Sequence, residues 1–201
     1  MLGANTLRQP LGKALLLAIF VSWLTACSSP PPPFNATEVT SVSYGKDIGI
    51  PDTTGKIRTL NDFAGKVTLV FFGFTSCPDV CPSTLLRLQQ ARTMLGADAN
   101  KVQVLLISVD PERDTAERLA AYIKNFDESF IGLRPEPTEL EKVVKAFHAI
   151  AVKVPTAGGS DYTIDHSATI YIYDKNARMR LITQPDMPVE KLAEDLRRLV
   201  N

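Results

Sequence analysis

Two stretches of the chain are nearly unbroken apolar runs rich in β-forming residues: Val67-Thr-Leu-Val-Phe-Phe-Gly-Phe74 and Val102-Gln-Val-Leu-Leu-Ile-Ser-Val109. A strand buried on both faces reads this way, without the alternation of a half-exposed one. The first is therefore expected as a central strand and the second as the next buried strand. Between them Pro82 suits the first turn of a helix, where its missing N–H is not needed. That helix is expected to run to about Leu95 and to stop at Gly96. Asp114-Thr-Ala-Glu117 resembles a capping box and opens a helix through Phe126. Phe130-Ile-Gly-Leu133 reads as a short strand, and Thr138-Glu-Leu-Glu141 as a second capping box opening a helix to about Phe147. Two β-forming runs, 168–173 and 178–182, flank the turn Asp174-Lys-Asn-Ala177 and read as a hairpin. Apolar residues at helical spacing over 189–200 predict an amphipathic closing helix.

Strand, helix, strand, helix, strand, helix, hairpin, helix is an α/β alternation with an antiparallel end. Its order matches a thioredoxin-like fold, with a central mixed sheet flanked by helices. The segment 45–66, with turn-like Asp52-Thr-Thr-Gly55, is expected to add an N-terminal β-hairpin. No internal repeat or second linker is visible, so one domain is assigned to 37–201.

The first 26 residues read as a targeting segment. Arg8 and Lys13 precede an apolar run over 14–24, too short for a spanning helix but suited to a secretory signal. Leu24-Thr25-Ala26-Cys27 looks like a bacterial lipobox, which makes Cys27 the lipidated first residue of the mature chain. An uncleaved or conventionally cleaved leader is the alternative. The prolines at 30–33 favour a stiff polyproline II spacer, so 27–36 is read as a linker. Several acyl chains on one Cys would hold the domain at a membrane of the bacterial cell envelope, facing the periplasm or the exterior.

Lys plus Arg and Asp plus Glu both total 22, a formal charge of zero. No net field draws the protein to nucleic acid or to an acidic membrane surface. Three cysteines are too few for a disulfide framework. One ends the leader, and the other two, Cys77 and Cys81, lie between the central strand and the following helix.

Open α/β sheets place ligands beyond the C-terminal ends of their strands. A helix N-terminus offers free N–H groups and partial positive charge, which favour thiolate over thiol, and the thiolate binds metal or attacks a disulfide. Two side chains four apart on one helical turn face the same way, with Cβ atoms about 5–6 Å apart, which suits two sulfurs on one ion. A disulfide needs Cβ atoms about 3.5–4.5 Å apart and would require loop geometry around Cys77.

His166 is expected in the loop before the strand beginning near Ala168, a loop that faces the Cys motif in thioredoxin-like folds. From the residues alone, ligand and surface histidine are equally good readings of it. His148 reads as a helix residue, Met179 and Met187 as packing, and Asp110 and Asp114 as turn and helix cap. Asp79, between the cysteines, reads equally as a site residue or a solvated loop acid. Asp165 should point away from the His166 ring, since successive side chains of extended backbone diverge. The loop at 155–159 carries turn and breaker residues and is expected to be mobile beside His166.

Three segments resemble the Sco/SenC family: Phe72-Gly-Phe-Thr-Ser-Cys-Pro-Asp-Val-Cys-Pro82, Ser108-Val-Asp-Pro-Glu-Arg-Asp-Thr115 and Tyr162-Thr-Ile-Asp-His-Ser-Ala-Thr-Ile-Tyr171. The resemblance implies a copper ion held by Cys77, Cys81 and His166 and delivered to the CuA domain of cytochrome c oxidase subunit II. It also implies contact with other periplasmic copper carriers or thiol reductases. Two thiolates and an imidazole suit Cu(I), and the imidazole also helps hold Cu(II). The same donors with a water would suit zinc. An assembly factor is expected rather than a turnover enzyme. The alternative is a thiol–disulfide reductase whose catalytic pair is Cys77 and Cys81. A thiol peroxidase is disfavoured, because Phe74 and Val70 stand where its motif needs Thr and Pro.

Overall fold

Every residue of β4 (Val67–Gly73) and β5 (Val102–Ser108) is buried, and the two strands pair in parallel from Val67 opposite Val102 to Gly73 opposite Ser108. They form the centre of the fold in a computed structural model that describes residues 32–39, 41–156 and 161–201. Chain order then runs β1 (Thr37–Glu38), β2 (Ile50–Pro51), β3 (Ile57–Arg58), β4, α1 (Val80–Thr93), β5, α2 (Ala116–Lys124) and β6 (Ile131–Leu133). It continues through α3 (Leu140–Ala146), β7 (Ala151–Pro155), β8 (Tyr162–His166), β9 (Ile170–Tyr173), β10 (Met179–Thr183) and α4 (Val189–Val200). The main sheet has six strands in the order β1-β10-β9-β4-β5-β6. Strands β4, β5 and β6 are parallel, while β9, β10 and β1 add antiparallel pairs on the other side. This is the mixed sheet of a thioredoxin-like fold, and β2 with β3 forms the expected N-terminal hairpin.

The core is built from the residues that set the apolar pattern. Phe71, Phe72, Leu69 and Leu106 are almost fully enclosed, each worth about 1.5–3 kcal/mol of transfer from water. Helix α1 packs on α4, and α2 covers β6. Gly132 permits that last contact, since a Cβ there would lie 2.7 Å from Leu119 Cγ.

Several local expectations need correction. Thr115, not Asp114, caps α2, its hydroxyl accepting from the Arg118 amide. Asp114 is drawn instead into the interior. The second capping box does not form: a short 3₁₀ turn, Pro137–Glu139, leads into α3 without a side-chain cap. Strand β1 and the separate two-stranded ribbon of β7 and β8 were not anticipated. Asn35 and Ala36, read as linker, donate their amides to the fully buried Asp195 on α4, and the compact unit begins at Phe34. The expected leader, Cys27 and residues 157–159 of the expected loop lie outside the described residues. Among the described residues no helix is long and apolar enough to cross a membrane.

Candidate metal centre

Strand β4 ends where the site begins. Gly73 closes the strand, and a Cβ on it would lie 3.0 Å from both Cys81 Sγ and Leu106 Cδ1. The chain then turns through Phe74 to Asp79 before α1 starts at Val80. Cys81 is the second residue of α1 and fully buried, while Cys77 lies outside the helix and is half-buried. The two therefore do not share a helical turn, as their spacing had suggested. Cys77 curls back so that its sulfur accepts from the Cys81 amide at 3.4 Å, one of the free N–H groups of the helix end. The loop is held by Asp114, which accepts from the Thr75 hydroxyl at 2.6 Å and from the Thr75 amide at 3.2 Å. Asp114 also accepts from the Ser108 hydroxyl at 2.7 Å, and Arg118 donates to the Ser76 hydroxyl at 2.9 Å.

Burial, and after it the neighbouring Cys77, pushes the Cys81 thiol well above the ordinary cysteine range. Burial thus opposes the helix-end field that favours a thiolate there, because desolvation penalises the charged form. A metal ion must displace that proton to bind there.

His166 is the last residue of β8, not a loop residue. Its Nδ1 lies 3.0 Å from the Ser167 carbonyl, which assigns the proton to Nδ1 and turns the Nε2 lone pair toward the Cys81 sulfur. Nε2 lies 3.6 Å from Cys81 Sγ. The ring stands edge-on to Phe74 and Phe71, with centroids 5.8 and 6.2 Å away. Burial lowers its pKa, with the Ser167 carbonyl and Asp165 opposing, and so favours the neutral imidazole that metals take. The Ser167 amide donates to the Ile150 carbonyl at 2.9 Å, and the Ile150 amide to the Ser167 hydroxyl at 2.8 Å. That closed ribbon end fixes the carbonyl that orients the ring.

One donor atom from each of Cys77, Cys81 and His166 falls within 4.8 Å of the others. Ion bonds of about 2.3 Å to sulfur and about 2.0 Å to nitrogen place donors about 3.5–4 Å apart, so a small closure completes a three-donor site. Two sulfurs and an imidazole fit a soft or borderline ion. Among the described residues this is the one His/Cys/Asp/Glu cluster arranged to hold a metal.

The remaining candidates stand apart from it. His148 is exposed, follows α3 with a φ of 51°, and lies against the Tyr44 ring at 4.3 Å. Asp79 is exposed and makes no cap, and Asp165 is exposed on β8. Met179 is buried in β10, and Met187 packs with its sulfur 3.3 Å from the Thr183 hydroxyl. The turn near Pro155 lies at the far end of the β7–β8 ribbon from His166, since Pro155 pairs with Tyr162 and Ala151 with His166. It is therefore not beside the ring. The Asp114 contact with Thr75 spans 39 positions and has no local signal in the sequence.

A family model described as SCO1/SenC matches residues 39–201. The chain is similar to an SCO2-like protein of Rickettsia prowazekii, 32% identical over 176 residues and covering 85% of each chain. It is also similar to the mitochondrial SCO2 homolog of Danio rerio, 38% identical over 138 residues, 67% of this chain and 50% of that protein. The chain thus spans about half the length of that relative. Among solved structures, the copper-bound ScoI of Bradyrhizobium japonicum superposes with a TM-score of 0.71 at 40% identity, covering 78% of this chain and 99% of that one.

Proposed function

This chain belongs to the SCO1/SenC family, and from that premise we propose that it carries copper as cargo on Cys77, Cys81 and His166. The observation that carries this reading is the convergence of the two sulfurs and a His166 ring nitrogen within 4.8 Å, with Nδ1 turned to the Ser167 carbonyl and Nε2 toward the Cys81 sulfur. Copper bound to the relative of 40% identity supports the choice of metal. The recipient is the CuA domain of cytochrome c oxidase subunit II. Transfer proceeds by ligand exchange: a recipient thiolate first replaces the half-exposed Cys77, and the buried Cys81 lets go last. Val80 on the helix of Cys81, and Ile150 and Val152 on the strand side that pairs with the His166 strand, are exposed apolar residues that suit a protein partner's approach. Cys27 carries a lipid anchor that holds the domain at the cell envelope.

A second reading has its own observation. The Cys77 sulfur is half-exposed and accepts a helix-end amide, which suits a nucleophile. Its thiolate would attack a disulfide of the recipient, releasing one recipient thiolate and forming a mixed disulfide. Cys81, passing its proton to the released recipient thiolate, would then displace the second recipient sulfur, leaving a Cys77–Cys81 disulfide and a reduced target. The test loads the protein, Cys77→Ser and His166→Ala with Cu(I) against a competing chelator, then measures reduction of an oxidised CuA domain. Copper binding lost in both variants supports the carrier. Normal copper binding by His166→Ala with reductase activity abolished would sink it.

A further inference from the structure

The segment Ser108-Val-Asp-Pro-Glu-Arg-Asp-Thr115 contributes no metal donor, yet it touches both arms of the site. Its backbone forms a tight turn in which the amides of Arg113 and Asp114 donate to the Asp110 carbonyl at 3.1 and 2.8 Å. From that turn Asp114 reaches the Cys loop through Thr75. Asp110 and Arg113 reach the other way, to the β7–β8 ribbon that ends in His166. Arg113 pairs with the buried Asp110, and its other end donates to the Tyr162 carbonyl at 2.9 Å and to the Asp161 carboxylate at 3.0 Å. Its guanidinium lies 3.8 Å over the Tyr162 ring, with the Phe74 ring 6.0 Å away. The Tyr162 hydroxyl donates to Asp110 at 2.9 Å.

The ribbon belongs to a sheet of its own and makes no ladder with the main sheet. Its position over the Cys loop is therefore set by its covalent link to β9, which starts at Ile170, and by side chains, among them the exposed Lys153–Glu112 pair at 2.6 Å and the more enclosed Arg113 contacts. The geometry points to Arg113, with Asp110 and Tyr162, as a latch that sets how closely His166 approaches Cys77 and Cys81. Arg113 is thus a positioning residue for copper binding. This deepens the proposed function and rests on it. A lysine cannot replace the latch, because one ammonium cannot span Asp110, Asp161 and the Tyr162 carbonyl while stacking flat on a ring.

The full chain, purified in detergent, is loaded with Cu(II), and imidazole nitrogen coupling is read in its electron paramagnetic resonance spectrum. Copper affinity is read by chelator competition. Arg113→Ala is expected to produce a second copper signal lacking the imidazole coupling and to weaken binding about tenfold, the scale of losing a ligand-orienting partner. Arg113→Lys is expected not to restore either. Tyr162→Phe keeps the ring and removes only the hydroxyl, so it is expected to shift both readouts the same way by less, and it decides the matter if Arg113→Ala does not fold. Arg92→Ala breaks a largely buried pair with Asp127 at the other end of α1 and serves as the destabilised control. Unchanged coupling and affinity in Arg113→Ala, or equal losses in Arg92→Ala, would overturn the latch. Intact coupling in His166→Ala would overturn the three-donor site itself, and the latch with it.

Discussion

The backbone amide of Cys81 donates to the sulfur of Cys77 across 3.4 Å, joining two cysteines that burial makes chemically unequal. Cys77 is half-exposed and receives a helix-end dipole. Cys81 is sealed beneath it, its thiol pushed up by burial. In the reduced, metal-free protein, iodoacetamide at mildly alkaline pH is expected to alkylate Cys77 at least about tenfold faster than Cys81. Peptide mapping over a time course reads the two rates. Equal rates would mean that the buried thiol is not buried in solution.

Gly73 sits directly beneath that pair. A methyl group on it meets Cys81 Sγ and Leu106 Cδ1 at 3.0 Å and Phe71 Cε1 at 3.3 Å, and all three neighbours are packed in the core. Gly73→Ala is expected to lower stability by about 1–3 kcal/mol, the usual scale of overpacking. It should also weaken copper binding, since any displacement of the Cys81 sulfur by the added methyl moves a proposed donor. Denaturant midpoint and copper affinity measure the two effects. A variant with wild-type affinity would mean that strand β4, not the sulfur, gives way.

Asp114 and Thr115 both suit a helix N-terminus, and the structure assigns the role to Thr115. Loss of an ordinary cap costs about 1 kcal/mol, and Thr115→Ala is expected at that level. Asp114→Ala strips the Ser108 hydroxyl and the Thr75 amide and hydroxyl of their acceptor inside the protein. It is expected to cost about 3 kcal/mol or more, and to loosen the Cys loop. Urea unfolding of both variants compares them, and a larger loss in Thr115→Ala would contradict this assignment.

That pair of residues also shows where sequence reading reaches its limit. Strands β4 and β5 and helix α4 were legible because burial on every face, or on one helical stripe, writes itself into local periodicity. The ribbon of β7 and β8 was not, because its β7 strand is largely exposed and pairs only with β8, leaving no apolar alternation. Cys77 and Cys81 were legible as a site from their place between strand and helix. His166 was evenly balanced on its own residues and was raised to a ligand by the resemblance. The contacts that hold His166 in place, from Arg113 to Tyr162 and from Ser167 to Ile150, join positions far apart in the chain and leave no pattern in either segment.

Asp52 supplies a stability switch far from neutral pH. It is buried at the β2–β3 turn, and burial alone would raise its pKa. The Thr54 hydroxyl, the Arg58 guanidinium and the amides of Thr54 and Lys56 outweigh that, and hold it at about 2 against an ordinary 3.8. The folded value lies below the unfolded one, so the carboxylate's contribution is fully present above about pH 4 and disappears as pH falls toward about 2. The shift corresponds to about 2 kcal/mol. Asp52→Asn is therefore expected to be less stable by about that amount at neutral pH, and to lose less stability than the parent between about pH 4 and about pH 2. Chemical denaturation across that range measures both slopes. Parallel slopes would show that the Asp52–Arg58 pair, 2.7 Å apart, does not govern the acid limb.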